Sequence, residues 1–170
     1  IVDQVSELVV LQRSAPYVVP RNNAPYKSEQ ISRFSRDQNA MLSLRDEQFW
    51  RQEEIFTQRL VDSETRDVAK EIALNHLRQE ISNEKLRAQL TPDYEYGCKR
   101  VLLSDEYYAA MSRSNVTLVP SALKSVDGNK VRTVDGFSTE LDVLIYATGF
   151  FTLKQPFATR IHGRGGVKLS

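Results

Sequence analysis

The sequence of 170 residues has little of what several classes of protein require. Its only cysteine is Cys98, which excludes an internal disulfide and a cysteine-based zinc site and agrees with a reducing, cytoplasmic location. The two histidines, His76 and His162, are far apart and predict no metal centre. Lysine and arginine number 23 and aspartate and glutamate 22, so a net charge of +1 offers no basic surface to nucleic acid or a membrane.

Long apolar runs and short catalytic motifs are also missing. The longest apolar run, 143–151, is interrupted by Thr148 and Gly149 and is too short to span a bilayer. No serine-hydrolase, zinc-protease or P-loop motif is present. The composition, 41% apolar and 26% charged, is that of an ordinary globular protein and excludes a disordered or fibrous one.

The N-terminal part predicts a strand and then an extended loop. Leu8–Leu11 is a short apolar run, typical of a strand buried on both faces of a parallel sheet. Residues 1–5 suit the tail of a helix. Three prolines follow the strand and exclude a helix there: Pro16, Pro20 and Pro25.

Residues 28–90 predict a helical block, because they contain no glycine or proline and their apolar residues recur at helical spacing. We expect Ser28 to cap the first helix and Asp62 to cap a later one. The later helix has a broad predicted apolar face: Val68, Ala69, Ile72, Ala73 and Leu77. The block is either a small bundle or an insertion in a larger domain.

From Thr91 onward the pattern changes to short strands and turns. Ser104 begins a predicted short helix that reaches about Arg113. Strands are predicted at 116–119, 122–126, 131–134 and 141–147, with turns at 127–129 and 135–136. A strand, a helix-rich block and further strands together predict an α/β fold with a mixed sheet.

Arg13 and Ser14 are the first candidates for a binding site, because they directly follow the first predicted strand. At the end of the second strand of a dinucleotide-binding fold, an arginine accommodates the 2′-phosphate of NADP. A guanidinium group presents a planar fork to phosphate oxygens, and a hydroxyl adds a donor. The alternative is a solvated loop arginine.

Two further segments carry candidate residues. Lys99 and Arg100 could clamp a phosphate or stabilise a developing anion, or they are simply a solvated pair of charges beside a strand. The segment 147–149 (Ala-Thr-Gly) ends a predicted strand, and its glycine permits close approach of a flat ligand or a plain turn. The glycine-rich stretch 163–166 predicts only a turn.

Several segments, taken in order, resemble flavin-dependent class B monooxygenases, chiefly of the Baeyer–Villiger type. They are LVVLQRSAP at 8–16, TPDY at 91–94, GCKRVLLSD at 97–105 with tyrosines at 107 and 108, NV at 115–116 and LDVLIYATGF at 141–150. Each segment is modest in specificity. Their order and spacing over nearly the whole chain make the set fairly specific.

This resemblance implies an enzyme that uses FAD and NADPH. Such an enzyme reduces FAD with NADPH, captures O₂ as a flavin C4a-peroxide and inserts one oxygen atom beside the carbonyl of a small-molecule ketone or onto a heteroatom. By position, Arg13, Ser14 and Lys99 would bind the 2′-phosphate of NADPH. Arg100 would be the active-site arginine that stabilises the anionic flavin and the nicotinamide.

The resemblance also implies that Ala147, Thr148 and Gly149 form a hinge passing near both cofactors. The fold would be a partial dinucleotide-binding NADP domain, Rossmann-like and three-layered, with a helical insertion and a β-hairpin. Residues 1–27 and 91–147 would form this domain, 28–90 the insertion, and 148–170 a crossover toward the FAD domain.

The family's two G-x-G-x-x-G motifs and its F-x-G-x-x-x-H fingerprint are absent from the sequence. We therefore expect an internal fragment that binds FAD and NADPH weakly or not at all and is inactive alone, since the pyrophosphates sit on those missing helix N-termini. Leu8–Leu11 would lie at an exposed sheet edge, through which copies of the chain could associate.

Two other interpretations stay open. The second domain of a flavoprotein disulfide reductase also ends in an Ala-Thr-Gly strand, although the helical block and the lack of a C-x-x-x-x-C motif argue against it. A non-catalytic helical interaction module would need a large exposed apolar helix face. It would also leave Arg13, Lys99 and Arg100 scattered in space.

Overall fold

The computed structural model describes residues 1–57, 64–149 and 156–169. The helices are α1 Ser28–Arg36, α2 Gln38–Thr57, α3 Glu64–Glu80, α4 Glu84–Gln89 and α5 Tyr107–Met111. The strands are β1 Leu8–Leu11, β2 Val18–Val19, β3 Leu102–Leu103, β4 Val116–Val119, β5 Leu123–Asp127, β6 Lys130–Thr133 and β7 Ser138–Glu140. Single 3₁₀ turns occur at Val2–Gln4, Ala158–Arg160 and Arg164–Gly166. The predicted α/β class is confirmed, but no sheet in the described part of the chain combines parallel and antiparallel strands, so the predicted mixed sheet is not found.

The strands form two parallel pairs and one antiparallel meander. β1 pairs with β4 in parallel, with Leu8 opposite Val116, and β2 pairs with β3 in parallel. β5, β6 and β7 follow one another in an antiparallel sheet. The β5–β6 turn needs a residue with positive φ, which Gly128 supplies at +59°. The parallel pairs bring distant parts of the chain together, whereas the meander is built from local contacts.

The main hydrophobic core joins the helical block to the strands. It consists of Val18, Leu77, Ile81, Leu90, Tyr108 and Met111. Because β2, α3, the end of α4 and α5 each contribute to it, the second half of the helical block packs into the same core as the parallel strands. Residues 64–90 therefore do not stand apart from the sheet.

The buried face of α3 is narrower than the sequence predicts. Ala69, Ala73 and Leu77 are buried, but Val68 is 61% exposed and Ile72 is exposed as well. The three buried residues are four positions apart and form one stripe, which faces β2 and α5. Val68 and Ile72 lie on the neighbouring stripe, which no described segment covers.

The prediction of a buried strand at 141–147 is wrong. The described structure has no strand there, and Val143 is 73% exposed, with Ile145 and Tyr146 exposed too. Apolar β-branched residues give strand propensity, but a strand forms only where a neighbour pairs with its backbone. No described segment pairs with 142–149, so the chain runs without regular structure. β1 also differs from prediction, because its residues are only half-buried.

Two helix starts and the N-terminal segment differ from the predictions in detail. α1 is capped by Lys27, whose amide donates a 2.9 Å hydrogen bond to Oε1 of Gln30, and Ser28 is its first helical residue. The hydroxyl of Ser104 accepts hydrogen bonds from the amides of residues 106 and 107, but the N-cap of α5 is Glu106, and the helix runs from Tyr107 only to Met111. In the N-terminal segment, where the tail of a helix is predicted, only Val2–Gln4 forms a 3₁₀ turn. Asp62 lies outside the described residues.

The first two helices contribute little to the core. Ala40 is their one buried residue among those whose side chains the structure describes. Large apolar side chains remain exposed on them: Ile31, Met41, Leu42, Phe49 and Trp50. No described helix is both long enough and apolar enough to cross a lipid bilayer.

Candidate functional site

The candidate site lies where β1 and β4 end. The strands are parallel, so their carboxyl ends meet at one edge of the sheet, and Gln12, Arg13 and Ser14 follow β1 at this edge. In open α/β sheets, ligands bind outside the carboxyl ends of parallel strands. Arg13 is exposed and Ser14 is half-buried, so both side chains are available to a ligand.

Lys99 reaches this edge from a distant part of the chain. Its ammonium group donates a 2.7 Å hydrogen bond to Oγ of Ser14, although 85 positions separate the two residues. The same Nζ lies 4.3 Å from the centre of the Tyr94 ring. β3 follows shortly after Lys99, and β2 follows shortly after Ser14. Because β3 pairs with β2, Lys99 lies close to Ser14 at the end of β1. The exposed lysine is therefore anchored at the predicted binding edge.

Three tyrosines support the loop that carries Lys99. Tyr17 is 3% exposed and contacts the rings of Tyr94 and Tyr96 edge-on, at centroid distances of 5.4 Å and 5.1 Å. Its hydroxyl donates a 2.9 Å hydrogen bond to the main-chain carbonyl of Tyr94. Burial raises the pKa of Tyr17 and of Tyr94, so both rings stay neutral at physiological pH.

An open cavity of about 1120 Å³ lies beside the end of β1. β1 lines one side of it and 141–148 lines the other. Four of the residues singled out from the sequence line the cavity: Arg13, Ser14, Ala147 and Thr148. The end of β1 and the first two residues of the Ala-Thr-Gly segment therefore line the same cavity, although 141–147 forms no strand.

Two candidate residues are not linked to this group by contacts. Arg100 is exposed and makes no hydrogen bond or ion pair with the described residues. Gly149 follows Thr148 with a φ of +86°, a left-handed conformation that favours glycine. Nothing within 4 Å would meet a Cβ atom there, so the described residues show no close packing at this glycine.

Sequence reasoning did not single out Tyr94 or Tyr17 as part of the site. The available signal was a pair of tyrosines, Tyr94 and Tyr96, shortly before Lys99 in the sequence; Tyr94 precedes Lys99 by five positions. Within the described parts of the chain, no group of three or more histidine, cysteine, aspartate and glutamate residues is arranged to hold a metal ion.

Known proteins similar to this chain are monooxygenases. A "Baeyer-Villiger monooxygenase" of Streptomyces coelicolor is 33% identical over 168 residues, which is 98% of this chain and 32% of the relative. An "FAD-binding monooxygenase" of Botryotinia fuckeliana is 29% identical over 98% of this chain and 32% of its own length. No protein-family model matches the sequence.

The fold matches solved monooxygenase structures as well. A cyclohexanone monooxygenase from Rhodococcus sp. Phi1 bound to NADP⁺ superposes with a TM-score of 0.74 at 24% identity, over 98% of this chain and 38% of that one. This likeness shows the fold, and the sequence similarity confirms the resemblance to Baeyer–Villiger monooxygenases. The chain spans about a third of the length of the curated relatives that it matches.

Proposed function

We propose that this chain, whose sequence is similar to Baeyer–Villiger monooxygenases over almost its whole length, is the NADPH-binding part of a cytoplasmic, FAD-dependent monooxygenase. The reaction would insert one oxygen atom from O₂ beside the carbonyl of a small-molecule ketone or onto a heteroatom. FAD and NADP⁺ in the names of the relative and the structural neighbour support this assignment of cofactors.

The hydrogen bond between Lys99 and Ser14 is the observation that carries the proposal. An ammonium group, a hydroxyl and, next in the chain, the guanidinium of Arg13 are donors suited to a doubly charged phosphate. They lie at the carboxyl end of a parallel strand, where the 2′-phosphate of NADP is bound in dinucleotide-binding folds. In this proposal, these three residues bind that phosphate.

Arg100 is proposed to act at the reacting centre. Its guanidinium has no ion-pair partner among the described residues, so its full charge is available to stabilise an anion. When bound, the flavin supplies the redox and oxygen chemistry, and the chain supplies position and charge. Ala147, Thr148 and Gly149 would form the hinge beside both cofactors, since the first two line the cavity that Arg13 enters.

The cavity between β1 and 141–148 supports a partial dinucleotide-binding domain. Among the residues that the structure describes, β1 is paired along one edge only, and the segment facing it across the cavity is unpaired. One further parallel strand between them would join β4, β1 and 141–147 into a single sheet. We propose the domain boundaries predicted from the resemblance, with the qualification that part of the insertion, residues 64–90, packs into the core of the NADP domain.

A nucleotide titration tests the phosphate site. The 170-residue chain is titrated with 2′,5′-ADP and with 5′-AMP, and binding is followed by NMR. We expect weak binding, stronger for 2′,5′-ADP, and a loss of about tenfold or more in Lys99→Gln, because a hydrogen bond to a charged group is removed. Lys124→Gln, which removes an exposed lysine from β5, is the matched control. Equal binding of both nucleotides would contradict the proposal.

Grafting tests the enzyme. The 168 matched residues of the Streptomyces coelicolor relative are replaced by this chain, and the flavin absorbance of the purified protein reports folding. We expect NADPH-dependent oxidation of a ketone or an organic sulfide and its loss in Arg100→Ala. A graft that binds FAD but never oxidises NADPH would favour the interaction-module interpretation. Submicromolar FAD binding by the 170 residues alone would contradict the expectation of weak binding.

A further inference from the structure

We propose that Tyr94 is a positioning residue for nucleotide selectivity: its ring holds the Lys99 ammonium at the end of β1, where it distinguishes a nucleotide with a 2′-phosphate from one without. This inference rests on the proposed function, because it assumes that Lys99 meets that phosphate. It assigns a role to Tyr94, which the sequence analysis placed in the TPDY segment without giving it a function.

The position of the Lys99 ammonium is defined by two contacts. Nζ lies 4.3 Å from the centre of the Tyr94 ring, within the range of about 6 Å over which a cation is attracted to an aromatic face. Nζ also donates the 2.7 Å hydrogen bond to Ser14. A lysine side chain has four rotatable bonds, so an exposed lysine without such contacts would sample many positions.

Tyr94 is itself held in place, so it can act as an anchor. The buried ring of Tyr17 meets it edge-on at an interplanar angle of 82°, and the Tyr17 hydroxyl fixes the Tyr94 carbonyl. The Lys99 ammonium lies over the aromatic ring of Tyr94, so the face of the ring and not the phenol group carries the contact with Lys99.

An aromatic anchor suits this site better than an acidic one. A carboxylate would hold the ammonium but would also neutralise the charge that a phosphate needs, whereas a neutral ring leaves it in full. The acid nearest to Lys99 along the chain is Glu95, which forms an ion pair with Lys70 at 3.4 Å. The charge of Glu95 is thereby compensated by a different lysine.

The test compares Tyr94→Phe with Tyr94→Leu in the 170-residue chain, using 2′,5′-ADP and 5′-AMP as probes. Tyr94→Phe keeps the ring and should bind both nucleotides as the parent does. Tyr94→Leu should weaken 2′,5′-ADP binding about two- to fivefold, the value of an exposed cation–π contact, and leave 5′-AMP binding unchanged. In a Lys99→Gln background, Tyr94→Leu should have no further effect.

A spectroscopic measurement keeps the inference testable if Tyr94→Leu does not fold. The ring should shift the NMR signals of the Lys99 ε-methylene upfield in the parent and in Tyr94→Phe, without any nucleotide. Normal shifts in both would overturn the inference. So would equal 2′,5′-ADP binding by Tyr94→Leu and the parent while Lys99→Gln still loses affinity, a result that leaves the proposed function intact. If Lys99→Gln has no effect on 2′,5′-ADP, the proposed function fails first.

Discussion

The hydroxyl of Tyr107 donates a 2.6 Å hydrogen bond to Oε1 of Gln12 and ties the residue after β1 to the first residue of α5. The other polar atom of the same side chain, Nε2 of Gln12, is buried and has no hydrogen-bond partner in the described structure. The bond therefore satisfies half of a buried amide directly beside the candidate phosphate site.

Removing the Tyr107 hydroxyl should destabilise the fold. In Tyr107→Phe, Oε1 of Gln12 would lose its partner beside the already unpartnered Nε2, at a cost of about 1–3 kcal/mol in the free energy of unfolding. Replacing both groups, in Tyr107→Phe with Gln12→Leu, should recover much of this loss, because no polar atom is then stranded. Urea unfolding of the parent, the two single variants and the double variant measures these changes in the free energy of unfolding. A double variant less stable than Tyr107→Phe would argue against this account.

Stability should fall at alkaline pH because tyrosines are buried. Burial raises the pKa of Tyr108, and neighbouring Tyr107 raises it further, so the folded state favours the neutral phenol. This contribution is complete below about pH 10, the pKa of an unfolded tyrosine, and is lost as the pH rises above it. Tyr108→Phe has no proton to lose, so its unfolding free energy should fall less steeply between about pH 9 and 11. Urea unfolding at a series of pH values measures this free energy. An equally steep fall with pH in the parent and in Tyr108→Phe would contradict the assignment.

Local patterns predicted local structure well. The β5–β6 hairpin follows from Gly128, whose positive φ the turn requires, and the helices from apolar residues four positions apart. The segment 141–147 has the composition of a strand, but strand formation depends on a backbone partner, which composition does not encode. Val68 and Ile72 were misassigned because spacing alone does not say how wide a stripe the neighbouring elements cover.

The candidate site was predictable only in part. Arg13 and Ser14 stood out because they follow a strand, but their proximity to Lys99 depends on a parallel pairing between distant segments and came only from the resemblance. Tyr94 stands in the TPDY segment that carries part of the resemblance, but that segment assigned it no role. Its role as an anchor arises from ring geometry and from the buried Tyr17 beneath it, and neither can be read from spacing.

The narrow face of α3 can be tested with two substitutions on one helix. Leu77 is 2% exposed and lies in the main core, so Leu77→Ala should cost about 2–5 kcal/mol through lost burial and a cavity. Val68→Ala, on the exposed stripe, should change the unfolding free energy by less than about 0.5 kcal/mol. Denaturant midpoints of both variants measure this. Comparable losses of unfolding free energy in the two variants would mean that Val68 is buried as well, as the broad apolar face predicted from the sequence requires.

Amide exchange at β1 tests whether the cavity has the character of an empty strand position. The amides of Leu8 and Gln12 donate to carbonyls of β4 and its flank, so in a parallel ladder those of Val9 and Leu11 point to the opposite edge, toward the cavity. In dilute solution, Val9 and Leu11 should exchange much faster than Val10, which is paired. An unpaired edge beside apolar residues also invites pairing between copies. If the protection of Val9 and Leu11 increases with protein concentration, copies of the chain associate at this edge. If all three amides are equally protected in dilute solution, the cavity is not an open strand position.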